Sequence, residues 1–127
     1  MQDRCTFEYA IIRVVPKVER EEFINVGVIL FSKQKKFLQM KTNVNENKLL
    51  ALDPDIDLNL VKKYLKAWED ICAGSPKGGA IGEFDIADRF RWLSAAKSTI
   101  IQCSPTHPGL CGDPEKELED AFKRYVL

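Results

Sequence analysis

Three groups of side chains in this sequence have types and spacings that can do chemistry. The first is Arg13, Arg20, Glu22 and Asn25, with Glu19 and Glu21 between them. These groups flank and enter segments rich in apolar residues, and a guanidinium among apolar neighbours needs a partner. Glu22 and Glu19 are the carboxylates nearest to Arg13 in sequence. Such a pair reads either as a salt bridge that fixes the connector or as a site for an anion or a partner segment.

The second group is Cys103, His107 and Cys111, three soft-metal ligand types spaced four apart. Structural zinc takes four ligands, no C-x-x-C accompanies these three, and Pro105 and Pro108 exclude a helix that would align them, so no metal is expected. Ser98 or Ser104 with His107 and Asp113 supplies the residue types of a Ser-His-Asp triad, but no nucleophile-elbow pattern surrounds either serine. The third group is Arg89, Phe90, Arg91 and Trp92. Alternating cation and ring can stack on nucleobases, but the same residues also anchor a short amphipathic helix on a core, which is the expected reading. No phosphate-binding glycine motif is present, so no nucleotide cofactor is expected.

Secondary-structure signals place these groups. Phe7 to Val15 is aromatic and β-branched and stops at Pro16, which predicts a strand. Phe7, Tyr9, Ile11, Arg13 and Val15 share one face of it, and Ala10, Ile12 and Val14 share the other, so both faces are expected to be covered and the strand to be central. Ile24 to Phe31 predicts a second strand, with Gly27 marking a bulge or a close approach of another segment. Lys36 to Thr42 completes a hairpin. Leu58, Val61, Leu65, Trp68 and Cys72 recur at helical spacing after a candidate cap at Asp55 or Asp57, and Gly74 ends the helix. Residues 74–82 have the composition of a mobile loop. A short helix is expected over Asp88 to Ala96, a strand over Thr99 to Cys103, and a last helix from a cap at Asp113 with Pro114 at its first position.

The chain has 127 residues, 45% of them apolar and 30% charged, with 19 basic and 19 acidic side chains. One domain of about 100 to 200 residues accommodates that length, and the balance of types is that of a folded chain. Strands, a helix, a loop, a strand and a helix in that order predict an α+β domain, a small antiparallel sheet packed with two main helices. A net charge of zero argues against nucleic-acid binding, which needs a surplus of Lys and Arg. The start of the chain has no signal-peptide pattern and no span reaches the length of a membrane helix, so a cytoplasmic location with reduced cysteines is expected.

Four separated blocks are recognisable: FEYAIIRVVPKVEREEFINVGVILF, LDPDIDLNLVKKYL, RFRWLSAAKSTIIQCSPTHPGL and DPEKELEDAFKRYVL. Together they resemble the bacterial domain-of-unknown-function family numbered 3037, over nearly the whole chain. That resemblance brings no assigned activity and no catalytic residues. It does imply a partner, because members are often encoded beside HipA-like serine/threonine kinases of toxin-antitoxin systems, and the layout is similar to the small subdomain preceding the kinase core in HipA proteins. The resemblance therefore implies a non-catalytic accessory or antitoxin-like subunit that docks on such a kinase, with Arg91, exposed Phe90 and Trp92 and the loop around His107 as contacts. The other reading is a small enzyme or ligand-binding domain that gathers Arg13, Arg20, Glu22, Asn25, Ser98, Thr99, Gln102 and His107 in one cleft.

Overall fold

In a computed structural model that describes residues 5–97 and 99–127, five antiparallel strands form one sheet with helices on both faces. The elements in chain order are β1 (Cys5–Val14), β2 (Ile24–Ser32), β3 (Phe37–Thr42), α1 (Glu46–Leu52), α2 (Leu58–Ala73), α3 (Gly79–Gly82), α4 (Ile86–Ser94), β4 (Ile101–Cys103), β5 (His107–Cys111) and α5 (Pro114–Tyr125). The sheet runs β3-β2-β1-β4, and β5 pairs with β1 as well. β4 lies against Ile12 to Val14 and β5 against Cys5 to Tyr9, so the two short strands act as one interrupted neighbour of β1. The α+β architecture and the central first strand are as the sequence predicts.

Alternation along β1 divides the core in two. Ala10, Ile12 and Val14 meet Ile29 and Phe31 of β2, Val61, Leu65 and Trp68 of α2, and Phe90 and Leu93 of α4. Phe7 and Ile11 face the other way, with Val28 and Leu30, and are covered by Leu118 of α5 and by Val126. A strand apolar on both faces is stable only between two covering layers, which is why β1 and β2 read as nearly continuous apolar runs.

Gly27 stands where the register shifts. Ile12 pairs with Gly27 but Arg13 pairs with Asn25, so Val26 is an extra residue and the pair carries a β-bulge. A Cβ on Gly27 would lie 2.6 Å from the Lys41 carbonyl oxygen and 3.3 Å from Ile12 Cδ1. The segment that approaches this glycine is therefore β3.

Caps set the helix ends. Asp57 accepts the Leu60 N–H at 3.0 Å and starts α2; Gly74, at φ 68°, closes it by donating to the Asp70 and Ile71 carbonyls. The stretch 74–82 differs from the loop expected there. It holds a 3-10 turn over Pro76–Gly78 and the helical turn α3. Gly78 lies against α2, where a Cβ would come within 2.9 Å of the Asp70 carbonyl oxygen, so this glycine serves close packing on α2. The helix expected from Asp88 begins two residues earlier, because Asp85 is its cap and accepts the Asp88 N–H at 2.9 Å.

Among the described residues no helix is long and apolar enough to cross a membrane.

Candidate functional site

The β-bulge at Val26 decides which polar groups meet on the α5 side of the sheet. It places Asn25 opposite Arg13, and β4 places Gln102 opposite Arg13 from the other side. Three polar side chains thus stand in a row across three strands. The Arg13 guanidinium lies over the Phe23 ring, 4.0 Å from its centroid, a cation–π contact. Its Nε is buried with no hydrogen-bond acceptor among the described residues, an arrangement that costs about 1–3 kcal/mol when unrelieved. Asn25 Nδ2 donates to the Tyr125 carbonyl at 3.1 Å, tying the end of α5 to β2, while Asn25 Oδ1 is buried without a donor. Gln102 Nε2 donates to the Thr99 carbonyl at 2.9 Å, and the Thr99 hydroxyl donates to the Ile101 carbonyl at 2.8 Å.

Neither carboxylate near Arg13 in sequence pairs with it. Glu22 instead accepts from Arg20 Nε at 2.5 Å, and that hydrogen bond holds the Glu22 carboxyl below the usual carboxylate range. The connector turns before they can reach β1: Val18–Arg20 is a 3-10 turn closed by Glu21 in the left-handed region at φ 56°. Arg20 and Glu22 then line one cleft, of about 250 Å³, with Pro16, Leu52 and Asp53. Arg13 and Gln102 line another, of about 290 Å³, with Val15, Val18, Glu21 and Phe23.

Further along the same face Tyr9 pairs with His107. The rings of Tyr9 and His107 are 5.2 Å apart, and Tyr9 is stacked with Tyr125 at 6.1 Å with the two hydroxyls 3.5 Å apart. That contact raises the Tyr9 hydroxyl above the usual tyrosine range and lowers Tyr125, which Arg124 lowers further. His107 therefore belongs to a strand, not to the loop expected around it. The interrupted strand is bridged by Ser104, whose hydroxyl accepts the Ile11 N–H at 2.8 Å and donates to the Pro105 carbonyl at 2.9 Å, while the Ser104 N–H donates to the Ile11 carbonyl at 2.8 Å. Asp113 caps α5 by accepting from Glu115 N and Lys116 N. The triad candidates Ser104 and Asp113 are thus both engaged in holding the backbone. Ser104→Ala is expected to leave the buried Ile11 N–H unpaired and to cost about 1–3 kcal/mol, read from the urea midpoint; a loss below about 0.5 kcal/mol would show the bridge to be dispensable.

The metal-ligand types do not converge. Cys103 pairs with Ile12 and donates to the Leu93 carbonyl on the α4 face, whereas His107 stacks on Tyr9 on the α5 face. Among the described residues there is no group of three or more His, Cys, Asp or Glu able to hold an ion. Ser98 and the Cys111 side chain lie outside the description. Burial pushes the thiols of Cys72 and Cys103 up to about 12, so both stay protonated at neutral pH and are poor nucleophiles.

Helix α4 separates the remaining candidates. Phe90, which the docking reading put at the surface, is fully buried and stacks on Phe31 at 5.2 Å, in keeping with the expected core-anchored amphipathic helix, because it falls with Leu93 on the helix face turned to the sheet. Trp92 is 37% exposed, its ring 4.6 Å from the Lys97 ammonium. Arg91 pairs with Glu8 at 2.7 Å and lines a cleft with Phe7, Phe31, Lys33 and Pro108. The sequence candidates thus occupy three places: Arg13, Asn25, Gln102 and His107 along the α5 side of β1, with Thr99 just before β4, Arg20 and Glu22 on the connector, and Arg91 and Trp92 beyond the other face. They do not share one cleft.

Four further residues belong to these surfaces. Tyr9 was legible from its alternation with Arg13, whereas Phe23, at the end of a charged connector, gave no signal of its contact with Arg13. Tyr125 is the last residue of α5. Leu110, 62% exposed, gave no signal because the strand β5 that carries it was not foreseen.

No curated protein and no solved structure matches the chain significantly. A family model described as "Protein of unknown function (DUF3037)" matches residues 9–126, which take in the first strand from Tyr9, both covering layers and the polar groups of the sites above apart from Glu8. The chain belongs to the DUF3037 family.

Proposed function

We propose that this chain is a non-catalytic docking module, an accessory or antitoxin-like subunit that binds a HipA-like serine/threonine kinase in the cytoplasm. The observation that carries the docking reading is the outer edge of β5. Among the described residues β5 pairs with β1 alone, and its Leu110 side chain is exposed. Arg91 and Pro108 flank that edge on one face, and His107 with Tyr9 and Tyr125 flank it on the other. Aromatic and arginine side chains around an apolar anchor are what binding hot spots consist of. Pro108 lacks an N–H and blunts the edge against simple strand addition, so the contact runs through side chains. The kinase as partner rests on the family context alone.

Purified chain and the HipA-like kinase from the same genome are expected to elute as one complex in size-exclusion chromatography with light scattering. Leu110→Asp is expected to weaken that complex at least about tenfold while leaving the fold intact. Separate elution of the two proteins at micromolar concentration overturns the kinase reading, and a complex indifferent to Leu110→Asp overturns the surface.

A further inference from the structure

In the cleft between the Val18–Arg20 turn and the β1–β4 pair, Arg13 is a cation that makes no ion pair among the described residues. Phe23 covers one face of the Arg13 guanidinium, and no carboxylate lies within ion-pair distance of it among the described residues. A stacked guanidinium still presents its N–H donors in the plane of the group, in the fork that matches a carboxylate. Among the described residues Arg13 Nε has no acceptor, and because it is buried the donors left to line the cleft are those of the two Nη nitrogens. Gln102, opposite it, gives one amide hydrogen to Thr99, and among the described residues its amide oxygen and second hydrogen have no partner given to them by the fold. Val15, Val18 and Phe23 supply the apolar part of the lining, and Val18 and Phe23 are 44% and 45% exposed, so the cleft offers a polar end and an uncovered apolar side.

We infer that this cleft receives an acidic side chain of the partner protein together with an apolar residue adjacent to it, an assignment that rests on reading the chain as a docking module. The carboxylate takes the fork of Arg13, and the apolar neighbour covers Val18 and Phe23. Glu21 lines the same cleft, and its negative charge opposes a dianion, which favours a single carboxylate over a phosphate. At about 290 Å³ the space is at the small end for a ligand pocket and fits one or two side chains better than a whole cofactor.

The test uses the isotopically labelled full chain and blocked dipeptides, followed by the Arg13 Nε–H resonance. Acetyl-Asp-Leu-amide is expected to shift that resonance saturably, with acetyl-Asn-Leu-amide at least about tenfold weaker. Arg13→Lys keeps a positive charge but removes the fork, and it is expected to weaken the Asp peptide by about tenfold with the rest of the amide spectrum in place. Equal binding of the two peptides, or no shift at Arg13, overturns the inference. Tighter binding of the phosphoserine analogue overturns the choice of carboxylate, and equal binding of free isovalerate overturns the assignment to a peptide segment. A kinase complex unaffected by Arg13→Lys sinks this inference and leaves the docking reading standing, whereas peptide selectivity without any kinase complex does the reverse.

Discussion

Replacing Phe90 by alanine is expected to remove about 3–5 kcal/mol of folding stability, the range for deleting a buried phenylalanine ring. The ring is fully buried, stacks on Phe31 of β2, and lies where α4 meets the central sheet. Its removal leaves a void that neighbouring backbone cannot fill, because the strands beneath are fixed by pairing on both sides. A domain of this size has about 5–15 kcal/mol in total, so the variant is expected near the threshold of folding. Urea unfolding at low temperature measures it, with a midpoint shift at constant slope as the expected form. A loss below about 1 kcal/mol would mean that α4 does not pack through this residue.

Trp68→Ala is expected to cost a similar amount, about 3–5 kcal/mol. Trp68 sits on the stripe Val61, Leu65, Trp68, Cys72 that turns α2 to the sheet, and it is buried. Its ring also receives the Lys97 ammonium at 5.3 Å, and Lys97 donates to the carbonyls of Trp92, Leu93 and Ala95 at the end of α4. Burial lowers the Lys97 pKa, so this contact is made by a cation already partly stripped of water. Loss of the indole therefore loosens two helices. Trp68→Phe, which retains most of the volume, is expected to recover more than half of the deficit in the same titration; a Phe variant as weak as the Ala variant would contradict the packing account.

The parts of the fold set by local patterns were legible, and those set by neighbours were not. Helical spacing from Leu58 to Cys72 and the Asp113-Pro114 start gave α2 and α5, because each needs only its own sequence to be recognised. Two-residue alternation placed Arg13 with Tyr9 and Ile11. The helix Glu46–Leu52 escaped because it buries a single residue, Leu49, and so has almost no apolar period. β5 escaped because a strand containing Pro108 and Gly109 has little intrinsic tendency to be one; it exists through its pairing with β1, where Gly109 lies under the Phe7 ring with no room for a Cβ.

The candidate sites show the same division. The expectation that Arg13 needs a partner was physically sound, but an aromatic ring met it in place of Glu22, since the left-handed residue Glu21 and the Arg20–Glu22 contact could not be read from composition. Phe90 and Trp92 are two residues apart and look equivalent in a list of aromatics. On a helix that separation turns one inward and the other outward, and only the position of the sheet tells which. The serine at 104 offered a nucleophile on paper and serves the backbone ladder of β1 in the fold.

These surfaces bear on partner choice differently. The β5 edge offers an apolar anchor with aromatic flanks, suited to affinity, while the Arg13 cleft offers a directional donor, suited to selecting an acidic residue. On the docking reading, a partner that uses both must reach round the β5 edge, with an apolar residue for Leu110 on the α4 face of the sheet and an acidic one for Arg13 on the α5 face.

Hydrogen–deuterium exchange of the chain with and without a HipA-like kinase tests the docking surface most directly. Protection that appears on complex formation over His107–Cys111 and over the Arg91 turn of α4 is the result expected. Protection confined to the opposite edge of the sheet, at Phe37–Thr42, or no change at any segment when the kinase is in excess, would contradict it.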